Sequence, residues 1–130
     1  MRGQGTPTAQ HRSGLGRAFA YAFHGLKLLL LTQRNAQIHA VLTIGAVALG
    51  AWLGLAALEW IALVLAMGAV WVAEALNTAV EFVVDLVSPD HQRLAGWSKD
   101  VGAAAVFLAS VVAVIVGGIL FIPKLMPLLG

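Results

Sequence analysis

Three stretches of the chain, 38–58, 60–84 and 101–122, are apolar over almost their whole length. An α-helix needs about 20 such residues to cross a hydrocarbon core roughly 30 Å thick. Only 11% of the residues are charged and 60% are hydrophobic, with a mean hydropathy of +0.88. A soluble domain typically carries about 25% charged residues, so a soluble fold is excluded. The sequence therefore predicts an all-α integral membrane protein with three transmembrane helices in one domain of 130 residues.

The expected boundaries follow from the usual breakers. Gly54 and Glu59 flank the turn after the first span, and Ser88-Pro89-Asp90 interrupts the chain after the second. Pro123 is expected to close the third, leaving 125–130 as a tail. Ahead of the spans, Leu15, Phe19, Ala22, Phe23, Leu26 and Leu30 recur at helical spacing while Arg17, His24, Lys27 and Arg34 interrupt the apolar run. Segment 15–35 reads as an amphipathic helix lying in the interface rather than as a fourth span. Residues 1–14 are small and polar and are expected to be disordered. No apolar run follows the first basic residues closely enough to form a signal peptide.

Positive charge sets the expected orientation. Arg2, Arg12, Arg17, Lys27 and Arg34 precede the first span, Arg93 and Lys99 separate the second from the third, and Lys124 alone falls on the other side. The N-terminus and the 85–100 loop are thus expected in the cytoplasm and the C-terminus outside. Cysteine is absent, which excludes disulfides, thiolate metal sites and cysteine nucleophiles. A net charge of +2, with no basic block interleaved with aromatics, gives no argument for nucleic acid as a partner.

The stretch AEALNTAVEFVVD, 73–85, departs from this apolar pattern. At about 100° per residue, with Glu74 as zero, Asn77 falls near −60°, Thr78 near +40°, Glu81 near −20° and Asp85 near +20°. All five share one face of the helix. Ionisable groups inside a membrane helix cost several kcal/mol and point to function by default. Asp85 alone is equally explained as the solvated end of the helix, and Asn77 and Thr78 also suit a polar stripe that joins helices. Neither alternative accounts for Glu74, which lies deeper.

Glu74 and Glu81 are about 10 Å apart along the axis, too far to hold one ion together from one helix. Glu81 and Asp85 are about 6 Å apart and nearer the cytoplasm, where a hydrated Mg²⁺ can arrive. One carboxylate for metal and a deeper one as general base is a division of labour that phosphoryl transfer can use. The segment VSPDHQRLAGWSKD, 87–100, adds His91, Arg93 and Lys99 at the same end. Lys99 and Asp100 are expected to start the third helix, where free backbone N–H groups favour an anion. A GxxxxGK[ST] loop is absent, so a P-loop kinase is excluded.

These residues resemble the small prokaryotic integral-membrane lipid kinases, the diacylglycerol and undecaprenol kinases. The resemblance rests on E-x-L-N-T-A-V-E-x-x-x-D (74–85), on S-K-D (98–100) before Val101 and an alanine-rich helix start, and on R-N-x-x-I-H (34–39). It covers about residues 15 to 124. It implies a homotrimer with active sites shared between subunits. It implies ATP- and Mg²⁺-dependent phosphorylation of a membrane lipid alcohol at the cytoplasmic face. Within that resemblance Glu74 matches the catalytic base and Glu81 a metal-binding glutamate. Asn77, Asp85, Lys99 and Asp100 match polar residues around the nucleotide and reacting centre. Tyr21 matches an aromatic position near the nucleotide, and Asp90, His91 and Gln92 fall in a nucleotide-contacting loop.

The pattern is broken in places. The family's second metal-binding glutamate is replaced by Gln33, whose neutral amide oxygen is a weaker ligand. A nucleotide-contacting arginine of some members is replaced by Gly14, with Arg12 and Arg17 nearby. The usual A-K-D is S-K-D. Diacylglycerol and undecaprenol both offer a primary hydroxyl, and R-N-x-x-I-H leans toward the undecaprenol branch. The rival class is a non-catalytic or proton- or ion-conducting membrane protein, which would have no use for Lys99 and the cytoplasmic loop.

Some features stand apart from the stripe. Gly50 and Gly54 form a GxxxG that is readable either as a helix-packing face or as the ordinary glycine content of membrane helices. His39 reads as an interfacial hydrogen-bonding residue, since the four histidines show no metal-ligand spacing. Trp52, Trp60 and Trp97 suit interface anchoring, while Trp71 is deep enough to pack.

Overall fold

The computed structural model describes residues 14–88, 90 and 92–130. Among them the chain forms four α-helices and no strand: α1 (Gly14–Thr32), α2 (Arg34–Leu53), α3 (Ala57–Val87) and α4 (Arg93–Leu129). The last three are long and apolar enough to cross a membrane. The expected disorder of 1–14 falls outside the described residues, except for Gly14, which opens α1.

Each helix ends for a local reason. At Gln33 the backbone becomes extended, with φ −109° and ψ 114°, and this single residue separates the interfacial helix from the first span. After Leu53 the chain turns at Gly54, whose φ of 68° lies in the left-handed region that glycine enters without a Cβ clash. The Glu59 carboxylate accepts the Ala56 N–H at 2.7 Å, satisfying one of the unpaired donors at the start of α3. It also pairs with Lys124 of α4 at 3.1 Å, which ties that end of the bundle together.

Three expectations from sequence are corrected. First, α4 begins at Arg93, so Lys99 and Asp100 lie well inside the helix rather than at its start. Apolar length marks where a helix enters lipid, not where its hydrogen bonding begins. Second, α4 runs on through Pro123 and Pro127 to Leu129. Proline's fixed φ is compatible with a helix, and in lipid no water competes for the surrounding backbone groups. Third, Gly50 and Gly54 do not form a helix-pairing face. Gly54 is the cap, and a Cβ on Gly50 would meet Leu55 Cδ1 at 2.8 Å and Trp60 at 3.0 Å, so its small size seats the turn.

The interior is narrow. On α3 the buried positions are Leu63, Ala66, Val70, Glu74, Asn77 and Thr78, spaced so that they share one face. Leu29, Ala36, Leu55 and Val106 cover it from the other elements. The helix pair α3 and α4 packs most extensively, and α2 lies against α3 more lightly. Most large apolar side chains face outward, as in a protein whose solvent is hydrocarbon. At 31 residues α3 is about 46 Å long, well beyond a ~30 Å core. A hydrocarbon core that began near Trp60 would end about 20 residues later, near Val80, with Glu74 inside it and Asp85 beyond it.

Candidate functional site

The buried face of α3 changes character midway, from Leu63, Ala66 and Val70 to Glu74, Asn77 and Thr78. Glu74 is 2% exposed and is the largest fully buried side chain. Its Oε2 accepts no hydrogen bond. The nearest cationic candidate is His39 of α2, whose Nε2 lies 3.8 Å from that oxygen. One turn further along, Asn77 Nδ2 donates to Glu81 Oε1 at 3.0 Å, which holds the half-buried Glu81 against the same face. Asn77 Oδ1 and Thr78 Oγ1 are buried without a partner. Gly102 of α4 lets Asn77 fit, because a Cβ there would overlap the amide oxygen.

Two clefts meet this stripe. Between α2, α3 and α4 lies an apolar cleft of about 230 Å³, with His39 at its rim and Thr43, Met67, Val70, Ser110 and Phe121 along its walls. Glu74 follows Val70 of this cleft by about one turn of α3. Near the far end of α3 lies a more polar cleft of about 300 Å³, lined by Asp85, Ser88, Gln92, Arg93, Gly96 and Lys99. There Lys99 Nζ donates to Asp85 Oδ1 at 2.5 Å. Ser88 Oγ is buried without a partner. The Arg93 guanidinium lies 4.9 Å above the Trp97 ring, a cation–π contact at the start of α4. The first turn of α4, at Arg93–Ala95, presents its free N–H groups beside this cleft, an arrangement that favours an anion.

The fold thus gathers Glu74, Asn77 and Glu81 into one cluster and Asp85, Gln92 and Lys99 into another. Asp100 is exposed beside Lys99, and Asp90 is exposed in the connection. Tyr21 is 71% exposed on α1 and does not line the polar cleft. His91 lies outside the described residues. Gln33 caps α2, and its Nε2 donates to Thr32 Oγ1 at 3.2 Å, which leaves the amide oxygen as the end able to coordinate.

Sequence reasoning missed the approach of His39 to Glu74. A signal existed. His39 lies 15 residues before Gly54 and Glu74 18 after Ala56, and antiparallel helices joined by a short turn bring such positions together. Thr43 and Trp71 obey the same register, and the Trp71 indole N–H donates to Thr43 Oγ1 at 3.0 Å.

Among the described residues, three helices long and apolar enough to cross a membrane, with a buried carboxylate on one of them and a lysine-bearing cleft at its end, define a small polytopic membrane protein. Comparison with known proteins narrows the class. The family model described as prokaryotic diacylglycerol kinase matches residues 20–121. The chain is 36% identical over 118 residues to the undecaprenol kinase of Bacillus subtilis (strain 168), covering 88% of this chain and 96% of that one. It is 41% identical over 113 residues to a diacylglycerol kinase of Synechocystis sp., covering 86% of this chain and 65% of the relative. Against the diacylglycerol kinase of Escherichia coli (strain K12) the identity is 34% over 99 residues, with 76% and 81% covered. The chain belongs to the prokaryotic diacylglycerol kinase family and is a transmembrane protein of the lipid-kinase class.

Proposed function

We propose that this protein transfers the γ-phosphate of ATP to the primary hydroxyl of a membrane lipid, either diacylglycerol or undecaprenol, at the cytoplasmic face of the bacterial inner membrane. The observation that carries the reading is the fully buried Glu74, one turn along α3 from Val70 of the apolar cleft and on the same helix face as Glu81 and Asp85. A lipid chain lying in that cleft brings its hydroxyl to the carboxylate. The nucleotide enters from the polar cleft, where Lys99 and the first turn of α4 neutralise phosphate charge. Along the axis, Asp85 and Glu74 are about 16 Å apart, with Glu81 between them.

The residues present fit Mg²⁺ as a companion of the nucleotide rather than as a caged ion. Among the described residues no group of three His, Asp or Glu side chains could hold a metal. Glu81 and the Gln33 amide oxygen would supply hard oxygen donors, and magnesium takes one or two carboxylates with phosphate oxygens and water. When bound, the ion neutralises charge on the phosphates. Glu74 accepts the lipid hydroxyl proton as the oxygen bonds to the γ-phosphorus and the bond to ADP breaks. No phosphoenzyme is required.

The orientation has the N-terminus in the cytoplasm and the C-terminus outside, as the basic residues favour. The outward-facing apolar surface also accommodates a homotrimer, with active sites completed between subunits. The test is transfer from labelled ATP, with Mg²⁺, to each lipid in mixed micelles. Label in one lipid is the expected result and identifies the substrate. A folded, oligomeric protein that labels neither excludes the kinase reading and favours a non-catalytic or ion-conducting role.

A further inference from the structure

A base that is 2% exposed and within reach of hydrocarbon has to be kept ionised by something. Burial in an apolar medium favours the protonated, non-basic form of a carboxyl unless an opposite charge stands nearby. Three cations among the described residues have partners elsewhere: Lys99 pairs with Asp85, Lys124 with Glu59, and Arg93 lies over the face of Trp97. Among the described residues, His39 is the cationic candidate placed at Glu74, with Nε2 3.8 Å from an oxygen that accepts no hydrogen bond.

Other groups around this pair leave it dominant. On α3 the further titratable group that bears on Glu74 is Glu81, which Asn77 holds. Where α4 lines the shared cleft it presents Ser110, Gly117 and Phe121 among its residues and no titratable group. Where α1 packs against α3 it presents Ala22, Gly25, Leu26 and Leu29, again with no titratable group.

We infer that His39 is a positioning residue for the proposed reaction, an imidazolium counter-ion that keeps Glu74 ionised and aimed at the lipid hydroxyl. The inference rests on the kinase reading for its catalytic meaning and on the geometry alone for the ion pair. Before transfer the pair holds one proton, on His39, and is neutral overall. Glu74 then takes the hydroxyl proton as the lipid oxygen bonds to phosphorus, and the pair becomes singly positive beside the new phosphate. Release of one proton after ADP and product leave restores it. The proton balances the one that any alcohol phosphorylation by ATP sets free.

Two measurements test this on the full-length protein in lipid bilayers. In infrared difference spectra against Glu74→Gln, Glu74 of the wild type is expected as carboxylate near neutral pH, and in His39→Gln as protonated carboxyl. Carboxylate in both overturns the inference, whether or not the protein is a kinase. In turnover assays at saturating MgATP, His39→Gln is expected to lower kcat about 10²-fold, with the KM for MgATP little changed. His39→Lys, a fixed cation, is expected to recover at least about tenfold of that loss. A lysine variant no better than glutamine, or a glutamine variant with the wild-type kcat, overturns it. Absence of phosphate transfer by the wild type defeats the kinase reading, and the infrared result still decides the pair.

Discussion

Glu74 and Asp85 are the same chemical group three turns apart on one face of α3, and they live under opposite physics. Glu74 is 2% exposed against an apolar cleft, with a histidine at 3.8 Å and one oxygen unbonded. Asp85 has 65% of its side chain exposed and a 2.5 Å hydrogen bond to Lys99, itself 39% exposed. Water screens the second pair, so it contributes little to stability and can open for a ligand. Nothing screens the first, so its charge state is set by the protein. The stripe is therefore a gradient from a wet, exposed end to a dry, buried one.

Substitutions separate the two ends, with the dry end carrying the largest effect. Glu74→Gln is expected to lower turnover by about 10³-fold or more while nucleotide affinity is kept. Steady-state transfer set beside a nucleotide titration checks it, and equal loss of both would erase the distinction between the ends. Glu81→Gln, midway, is expected to raise the Mg²⁺ concentration for half-maximal rate about 10–100-fold. A titration of rate against Mg²⁺ decides this, and behaviour identical to that of Glu74→Gln would merge the two roles. At the wet end, Lys99→Met should weaken MgATP binding and flatten its salt dependence. Its thermal or denaturant stability should change by no more than about 1 kcal/mol. The smallest effect is expected for Gln33→Glu, which should lower the Mg²⁺ requirement a few-fold. An unchanged requirement would remove Gln33 from the donor set.

The contrast was only half legible in the sequence. Three spans and one polar face on α3 follow from apolar length and from 100° spacing, both properties of local sequence. The Glu81–Asn77 hydrogen bond belongs to the same category, since residues four apart on a helix are neighbours. What escaped depends on helices meeting. His39 looked like an interfacial residue because its company on α2 is apolar, and only the register around the Gly54 turn brings it to Glu74. Lys99 looked like a helix start because lipid exposure begins at Val101, whereas hydrogen bonding begins two turns earlier at Arg93. Pro123 looked like a stop because proline's local rule omits the Glu59–Lys124 ion pair that fastens that end of α4.

The left-handed turn at Gly54 also sets the placement of a long helix. From Gly54 to His39 the lever arm is 15 residues, or about 22 Å of helix. A tilt of α2 by roughly 3° about that point moves the imidazole by about 1 Å, enough to change a 3.8 Å ionic separation into a hydrogen bond of ordinary length. The separation of the buried pair is thus sensitive to small changes in how α2 packs, and the turn that fixes α2 stands at the opposite end of the helix.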